Sequence, residues 1–189
     1  MRKKIFIVIG ILLLGIAAYY VYGVLTSRSL SPSETKSISH QGLDVKVVYC
    51  RPYKKRRLIF GEEKDEALVP YGKYWRLGAN EATEITFSKD VTFGDIPIKA
   101  GSYRLYAVPQ PEAWTLTLNS ELGKFGYFEP NYAMDVGKLD VPVDTAPQET
   151  EQLTITFDPD SLGVITMNID WDKTRVRVPI SQADATLVE

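Results

Sequence analysis

Two patterns of hydrophobic and polar positions divide the chain. Residues 5–25, IFIVIGILLLGIAAYYVYGVL, contain no charged side chain, whereas from Leu43 onward apolar and polar residues alternate with a period of two. A helix as long as the first segment rises roughly 31 Å, which matches a hydrocarbon core of about 30 Å. A period of two is typical of strands with one face in a core and the other in water. The chain therefore predicts one transmembrane helix followed by an all-β domain.

The alternation predicts short strands separated by turns. It is clearest at residues 43–50, 84–88, 114–119, 153–157 and 175–180. Gly94-Asp95 suits a tight hairpin turn, and Asp158-Pro159-Asp160 and residues 170–173 suggest two further hairpin connections. Roughly eight or nine strands at this spacing, with almost no helical periodicity, favour an antiparallel β-sandwich of the jelly-roll kind.

The charges around the apolar segment predict its orientation. Arg2, Lys3 and Lys4 precede it, and only Arg28 follows closely. This asymmetry places residues 1–4 in the cytoplasm and the β domain across the membrane, on a single-pass signal anchor. In a bacterial cell this would be an anchor in the inner membrane with the domain in the periplasm. A cleaved signal peptide is the alternative, but the segment is longer than a usual signal core and no small-x-small cleavage site follows it.

These observations divide the chain into five parts. Residues 1–4 are cytoplasmic, 5–25 form the transmembrane anchor, 26–40 form a flexible Ser-rich stalk, 41–182 form the β-sandwich and 183–189 form a frayed tail.

Composition excludes several classes of protein. A formal net charge of -2 argues against a nucleic-acid-binding chain, whose affinity would rest on many cations. One cysteine permits no internal disulfide, and one cysteine with one histidine cannot form a Cys/His zinc site. The usual catalytic and cofactor motifs are absent, so neither a cofactor nor a metal is expected. A calcium site among the aspartates near 158–172 is the alternative, although turns explain those residues equally well.

Two irregular stretches between the first strand and the strand near Ile85 carry the candidate site. Residues 51–66 hold a basic run and then an acidic one, and residues 69–81 place aromatic, basic and amide side chains close together. A long irregular connection in a compact domain is commonly functional, and such side chains can stack on a sugar or hold an anion. The predicted ligand-binding residues are Arg51, Lys54, Arg57, Tyr71, Trp75, Arg76, Asn80 and Glu81.

Each candidate also has a structural explanation. The basic run can be a solvated loop face, Trp75 can cover the end of the core, and Asn80 can hold a turn. Arg76 and Glu81 can simply pair with each other. Cys50 is expected to be a small packed residue rather than a nucleophile.

The same stretches resemble a bacterial family of unknown function, domain-of-unknown-function family 2911. The resemblance rests on Tyr49-Cys50-Arg51-Pro52, on the run from Leu68 to Thr83 that includes Trp75-Arg76-Leu77-Gly78-Ala79-Asn80-Glu81, on Ala100-Gly101-Ser102-Tyr103 and on Trp114-Thr115. It covers nearly all of the domain and implies an exported protein, mainly of Bacteroidota, with no established activity. The family pattern favours Ser at the position of Cys50, which argues against an essential thiol.

Three hypotheses follow for the function. The leading one is a membrane-tethered binding module for an anionic or saccharide ligand of the cell envelope. The second is a hydrolase acting on a similar ligand, with Glu81 as acid or base and a raised carboxyl pKa. The third is an assembly subunit, which predicts an exposed apolar patch and no pocket near Trp75. The expected partners are the membrane, through the helix, and a glycan, a lipid headgroup or an envelope protein, with no nucleic acid.

Overall fold

The structure, a computed structural model, describes residues 2–183. It contains one long helix, α1 (Arg2–Leu30), followed by a β domain. The strands in chain order are β1 (Ser33–His40), β2 (Leu43–Cys50), β3 (Phe60–Gly61), β4 (Val69–Pro70), β5 (Thr83–Phe87), β6 (Val91–Phe93), β7 (Ile96–Ile98), β8 (Gly101–Pro109), β9 (Ala113–Asn119), β10 (Asp135–Pro159) and β11 (Ile165–Gln182).

Helix α1 is long and apolar enough to cross a membrane by length and composition. Its 29 residues rise about 43 Å, and its apolar span is not buried against the domain. Residues 2–4 of the predicted cytoplasmic segment belong to this helix.

The strands confirm the predicted all-β class. Nine of them form one open antiparallel sheet in the order β1-β2-β5-β8-β9-β10-β11-β6-β7, and β3 and β4 form a separate parallel pair. The sheet curls so that strands distant in this order face each other, as in a sandwich. The Tyr49 hydroxyl of β2, for example, accepts a hydrogen bond from the Ile155 backbone of β10 at 2.9 Å. The apolar residues of the alternating strands fill one shared core between these faces.

The flexible stalk predicted at Thr26–His40 is wrong, because most of this segment belongs to a helix and a strand. Its first part continues α1 to Leu30, and Ser33–His40 is strand β1, paired with β2 over its full length. Backbone hydrogen bonds to β2 stabilise this polar strand, so it needs few apolar side chains. Only Ser31 and Pro32 separate the helix from the sheet. The predicted tail at 183–189 lies outside the described residues except for Ala183, whose N–H donates to the Asp90 carbonyl.

Two long strands replace the hairpin predicted at residues 170–173. β10 pairs with β9 through its first part and with β11 through the rest. β11 continues through Asp172, which bends it with a φ of 56° where the register shifts. Lys54 and Arg175 bind Asp172 and Asp170 respectively, so these aspartates stabilise a bend rather than a chain reversal. The turn predicted at Gly94 is confirmed between β6 and β7, with a φ of 66°.

Candidate functional site

A pocket of about 750 Å³ lies between the C-terminal end of α1 and the irregular connection from β2 to β5. The helix contributes Ser27 and Leu30 to its wall, and the connection contributes Arg57, Trp75 and Arg76. The connection contains two two-residue strands, β3 and β4, and one 3-10 turn at Glu63–Asp65, and the rest of it is irregular, as the lack of alternation predicted. The pocket is therefore formed jointly by the domain and the end of the helix.

The three tryptophans of the protein form one cluster at the floor of this pocket, in which Trp75 and Trp171 line the pocket. The rings of Trp75 and Trp171 stack with centroids 5.8 Å apart, and Trp114 meets Trp75 edge-on at 5.4 Å. Phe60 packs against all three. The side chains of Trp75 and Trp171 are only 6% and 1% exposed, so Trp75 is a core residue, as its structural explanation expected.

One donor of this floor has no acceptor. The indole Nε1 of Trp75 donates to the Gly78 carbonyl at 3.3 Å. The buried Nε1 of Trp171, another residue of the pocket lining, has no hydrogen-bond partner among residues 2–183. A buried N–H without an acceptor is costly, and because this atom is buried a ligand could reach it only if neighbouring side chains moved.

Arg76 is the central charged residue of the pocket. Its side chain is half-buried, its Nε has no hydrogen-bond partner, and no ion pair to it exists within the described part of the chain. Burial lowers the pKa of the Arg76 guanidinium, because the charged form has lost part of its hydration. Gly126 packs against its aliphatic stem so closely that an added Cβ would lie 2.5 Å from the Arg76 Cδ.

Other charges at the pocket are predominantly positive. Lys55 and Arg57 line it on the side of the basic run, and Glu129 is the carboxylate in the lining. The Arg57 guanidinium donates to the carbonyls of Lys54 and Tyr53, which fixes its position without neutralising its charge. The pocket can therefore hold an anion among several cations.

Asn80 and Glu81 connect the domain to the helix. Asn80 accepts a hydrogen bond from Ser27 Oγ at 2.5 Å and donates one to the Ser31 carbonyl at 3.3 Å. Glu81 forms an ion pair with Arg28 at 2.5 Å instead of pairing with Arg76. The Asn80 backbone has a φ of 53°, but its side chain binds residues at the end of α1 and does not hold a turn as predicted.

Glu81 does not line the main pocket. It lies beside smaller depressions near Cys50 and Ala82, and its carboxylate accepts a hydrogen bond from the Cys50 thiol at 3.3 Å. Burial acts to raise the pKa of Glu81, but hydrogen bonds from its own backbone and from Cys50, together with Arg28, lower it below its ordinary value. The hydrolase hypothesis expected a raised pKa at Glu81, and the shift is in the opposite direction.

Three further predicted residues make structural contacts away from the pocket lining. Arg51 pairs with Glu34 at 3.0 Å and donates to the Leu153 carbonyl at 2.9 Å. Lys54 binds Glu149 and Asp172, each at 2.6 Å. Tyr71 lies just after β4, where its backbone N–H donates to the Gly61 carbonyl. The structure thus brings Arg57, Trp75, Arg76 and Asn80 together and leaves Arg51, Lys54, Tyr71 and Glu81 outside.

The pocket also contains residues that the sequence pattern did not single out. Tyr127 and Glu129 belong to the loop from β9 to β10, and Trp171 belongs to the segment interpreted as a hairpin. The available sequence signal was the run Phe125-Gly126-Tyr127-Phe128, in which exposed aromatics surround a glycine outside any alternating segment. Within residues 2–183, no group of three or more His, Cys, Asp and Glu side chains is placed to hold a metal ion.

Comparison with known proteins gives one match. A family model described as "Protein of unknown function (DUF2911)" matches residues 31–180. No curated protein and no solved structure matches the chain. The matched region contains the β domain with Arg76 and Trp171, but not the helix residues that complete the pocket wall.

Proposed function

Since the chain belongs to the DUF2911 family, whose function is unknown, its role has to be inferred from its own pocket, and we propose that it is a membrane-anchored binding module for an anionic ligand. Helix α1 crosses the bacterial inner membrane, and the β domain lies in the periplasm. The exposed apolar side chains of α1 and the cations that precede its apolar span support this arrangement. The ligand class includes phosphates, carboxylates and acidic saccharides of the envelope.

The half-buried Arg76 without an ion pair is the observation that carries this proposal. Removing a cation from water without a partner is costly, so a fold that retains such a group is expected to use it. A guanidinium presents donors in a fixed fork that matches the oxygens of a carboxylate or phosphate. An anion in the pocket would restore the interactions that burial has removed.

Two other features favour an oxyanion over a neutral sugar. One is that Lys55 and Arg57 add positive charge to the pocket lining. Stacking on a sugar requires an exposed ring face, but Trp75 is only 6% exposed. The assembly-subunit hypothesis expected no pocket near Trp75, whereas Trp75 lines a pocket of about 750 Å³.

Titration of the full chain in detergent micelles tests the proposal. The probes are inorganic phosphate, glycerol phosphate and glucuronate, with glucose as the neutral reference. Since all three tryptophans lie in the cluster that forms the floor, their fluorescence should report binding. A ligand at a hundred times its dissociation constant adds about 2.7 kcal/mol to the free energy of unfolding. This corresponds to a rise in Tm of roughly 5–10 °C for a protein of this size.

Two variants separate a pocket effect from a general charge effect. Arg76→Gln should abolish the fluorescence change and the rise in Tm. Arg56→Gln removes the same charge from an exposed residue outside the pocket lining and should retain both. Equal loss in the two variants, or a response to glucose as large as that to the anions, would contradict the proposal.

A further inference from the structure

The loop from β9 to β10, residues 120–134, exposes several aromatic side chains and is called the aromatic loop below. The exposed fractions are 49% for Phe125, 70% for Tyr127, 68% for Phe128 and 49% for Tyr132. Tyr127 and Phe128 also contact each other edge-on, with centroids 5.6 Å apart. Several large apolar side chains exposed within one segment are typical of an interaction site.

The aromatic loop lies beside the end of helix α1. Phe125 forms a β-bridge with Glu81, and Glu81 is ion-paired with Arg28 of the helix. The Gly126 N–H donates to the carbonyl of Asn80, whose side chain binds Ser27. Phe125 and Gly126 therefore each contact a residue that itself binds the last turns of α1.

The length of the helix gives the depth of this contact. The apolar span ends at residue 25, so Arg28 lies about 4.5 Å further along the helix axis. The headgroup layer on each side of a bilayer is roughly 5–8 Å thick. Because only Ser31 and Pro32 join the helix to β1, the domain cannot move far from this layer. Arg28, and with it the aromatic loop, lies at the depth of the lipid headgroups.

We propose that the aromatic loop docks in the headgroup layer of the membrane that α1 crosses, with Tyr127 and Phe128 at the acyl boundary. Aromatic side chains with a polar end favour this layer, and exposed cations beside them bind anionic lipid. Arg28 next to the loop and Lys124 within it are such cations, since each is more than half exposed although it also pairs with a carboxylate of the protein. The inference rests on the membrane anchoring in the proposed function but not on occupation of the pocket.

Docking also gives the pocket a defined orientation. Tyr127 and Glu129 of the aromatic loop line the pocket together with Ser27 and Leu30 of the helix. If the loop lies among the headgroups, the mouth of the pocket opens at the membrane surface. The lipid bilayer is thus the partner that we propose for the aromatic loop. Its headgroups would then lie at the mouth of the pocket that contains Arg76.

A tryptophan placed in the loop measures its depth. Phe128→Trp is reconstituted as the full chain into vesicles of phosphatidylcholine and phosphatidylglycerol in which part of the phosphatidylcholine carries brominated acyl chains. The three native tryptophans are at most 6% exposed and provide a constant background. Brominated lipid should quench the added emission, and dissolved iodide should quench it little.

Leu162→Trp is the matched control. Leu162 is 86% exposed in the turn between β10 and β11, where Ser161 contacts Gln41 at the far end of β1. Strand β1 places this turn about 25 Å from the end of the helix. Its emission should be quenched by iodide and not by brominated lipid. Tyr127→Trp repeats the loop measurement and replaces Phe128→Trp if that variant does not fold.

Three results would overturn the inference. One is iodide quenching of the loop tryptophan that equals that of the control. Another is equal quenching of both tryptophans by brominated lipid, which would show that the domain lies on its side. The third is failure of the chain to float with the vesicles, which removes the anchor as well. The anion titration in micelles is independent of all three, so failure of docking and failure of binding can be distinguished.

Discussion

Replacing Arg76 with methionine should make the protein more stable while removing its ability to bind anions. Methionine retains most of the aliphatic stem that packs under Gly126 and removes the guanidinium. In the ligand-free protein that guanidinium is half-buried with an unpartnered Nε and no ion pair among the described residues. Its removal therefore relieves a desolvation cost without breaking an ion pair.

The expected gain follows from the cost of an unpaired buried polar group. Such a group costs about 1–3 kcal/mol, and partial exposure places Arg76 at the lower end of that range. We expect the free energy of unfolding of Arg76→Met to rise by about 1 kcal/mol, which raises Tm by roughly 2–4 °C. The lowered pKa of Arg76 agrees in sign, because it shows that folding disfavours the charged form.

Arg51→Met provides the matched comparison. Arg51 pairs with Glu34 and donates to the Leu153 carbonyl, so the same substitution there should lower Tm. Both variants are measured by thermal unfolding of the full chain in micelles without ligand, followed by tryptophan fluorescence. A fall in Tm of 3 °C or more for Arg76→Met would refute the reasoning. It would show that Arg76 stabilises the fold through contacts within the protein.

Four further outcomes are expected. Gly126→Ala places a Cβ 2.5 Å from the Arg76 Cδ, so it should displace that side chain and weaken anion binding about tenfold; unchanged affinity in the fluorescence titration would contradict this. Burial raises the pKa of the Tyr49 phenol, so the unfolded chain ionises first and the free energy of unfolding should fall as pH rises above about 10. Tyr49→Phe should flatten that fall in urea titrations between pH 8 and 11, and an equal slope would count against the assignment. Glu81→Gln should change the free energy of unfolding by less than about 1 kcal/mol, because the ion pair between Glu81 and Arg28 is exposed. Cys50 should resist iodoacetamide in both the wild-type protein and Glu81→Gln, because its thiol is buried. Rapid alkylation of Cys50 would contradict that burial.

Alternation in the sequence was sufficient to predict the strands whose one face is buried. Strands β2, β5 and β9 confirm it, because each directs every second side chain into the shared core. β1 escaped prediction because its stability comes from backbone pairing with β2, which leaves no hydrophobic period. The continuation of β11 through Asp172 was also hidden, since the residues that stabilise the bend include Lys54, far away in the chain.

The candidate site shows the same division between local and distant information. Residue types and spacing identified Trp75 and Arg76, which line the pocket. The same criteria also selected Lys54, whose carboxylate partners Glu149 and Asp172 lie about a hundred residues further along the chain. Only the folded arrangement distinguishes a cation that already has a partner from one that lacks it.

Under the proposed function, the short junction between α1 and β1 determines how the protein meets its ligand. With only Ser31 and Pro32 between helix and sheet, a domain anchored in this way would travel with its helix and search by lateral diffusion in the plane of the membrane. A ligand confined to the same surface has an effective concentration that can reach the millimolar range. A dissociation constant too weak to retain a dissolved molecule is then sufficient to keep a membrane-bound one occupied, and exchange between neighbouring ligands stays rapid.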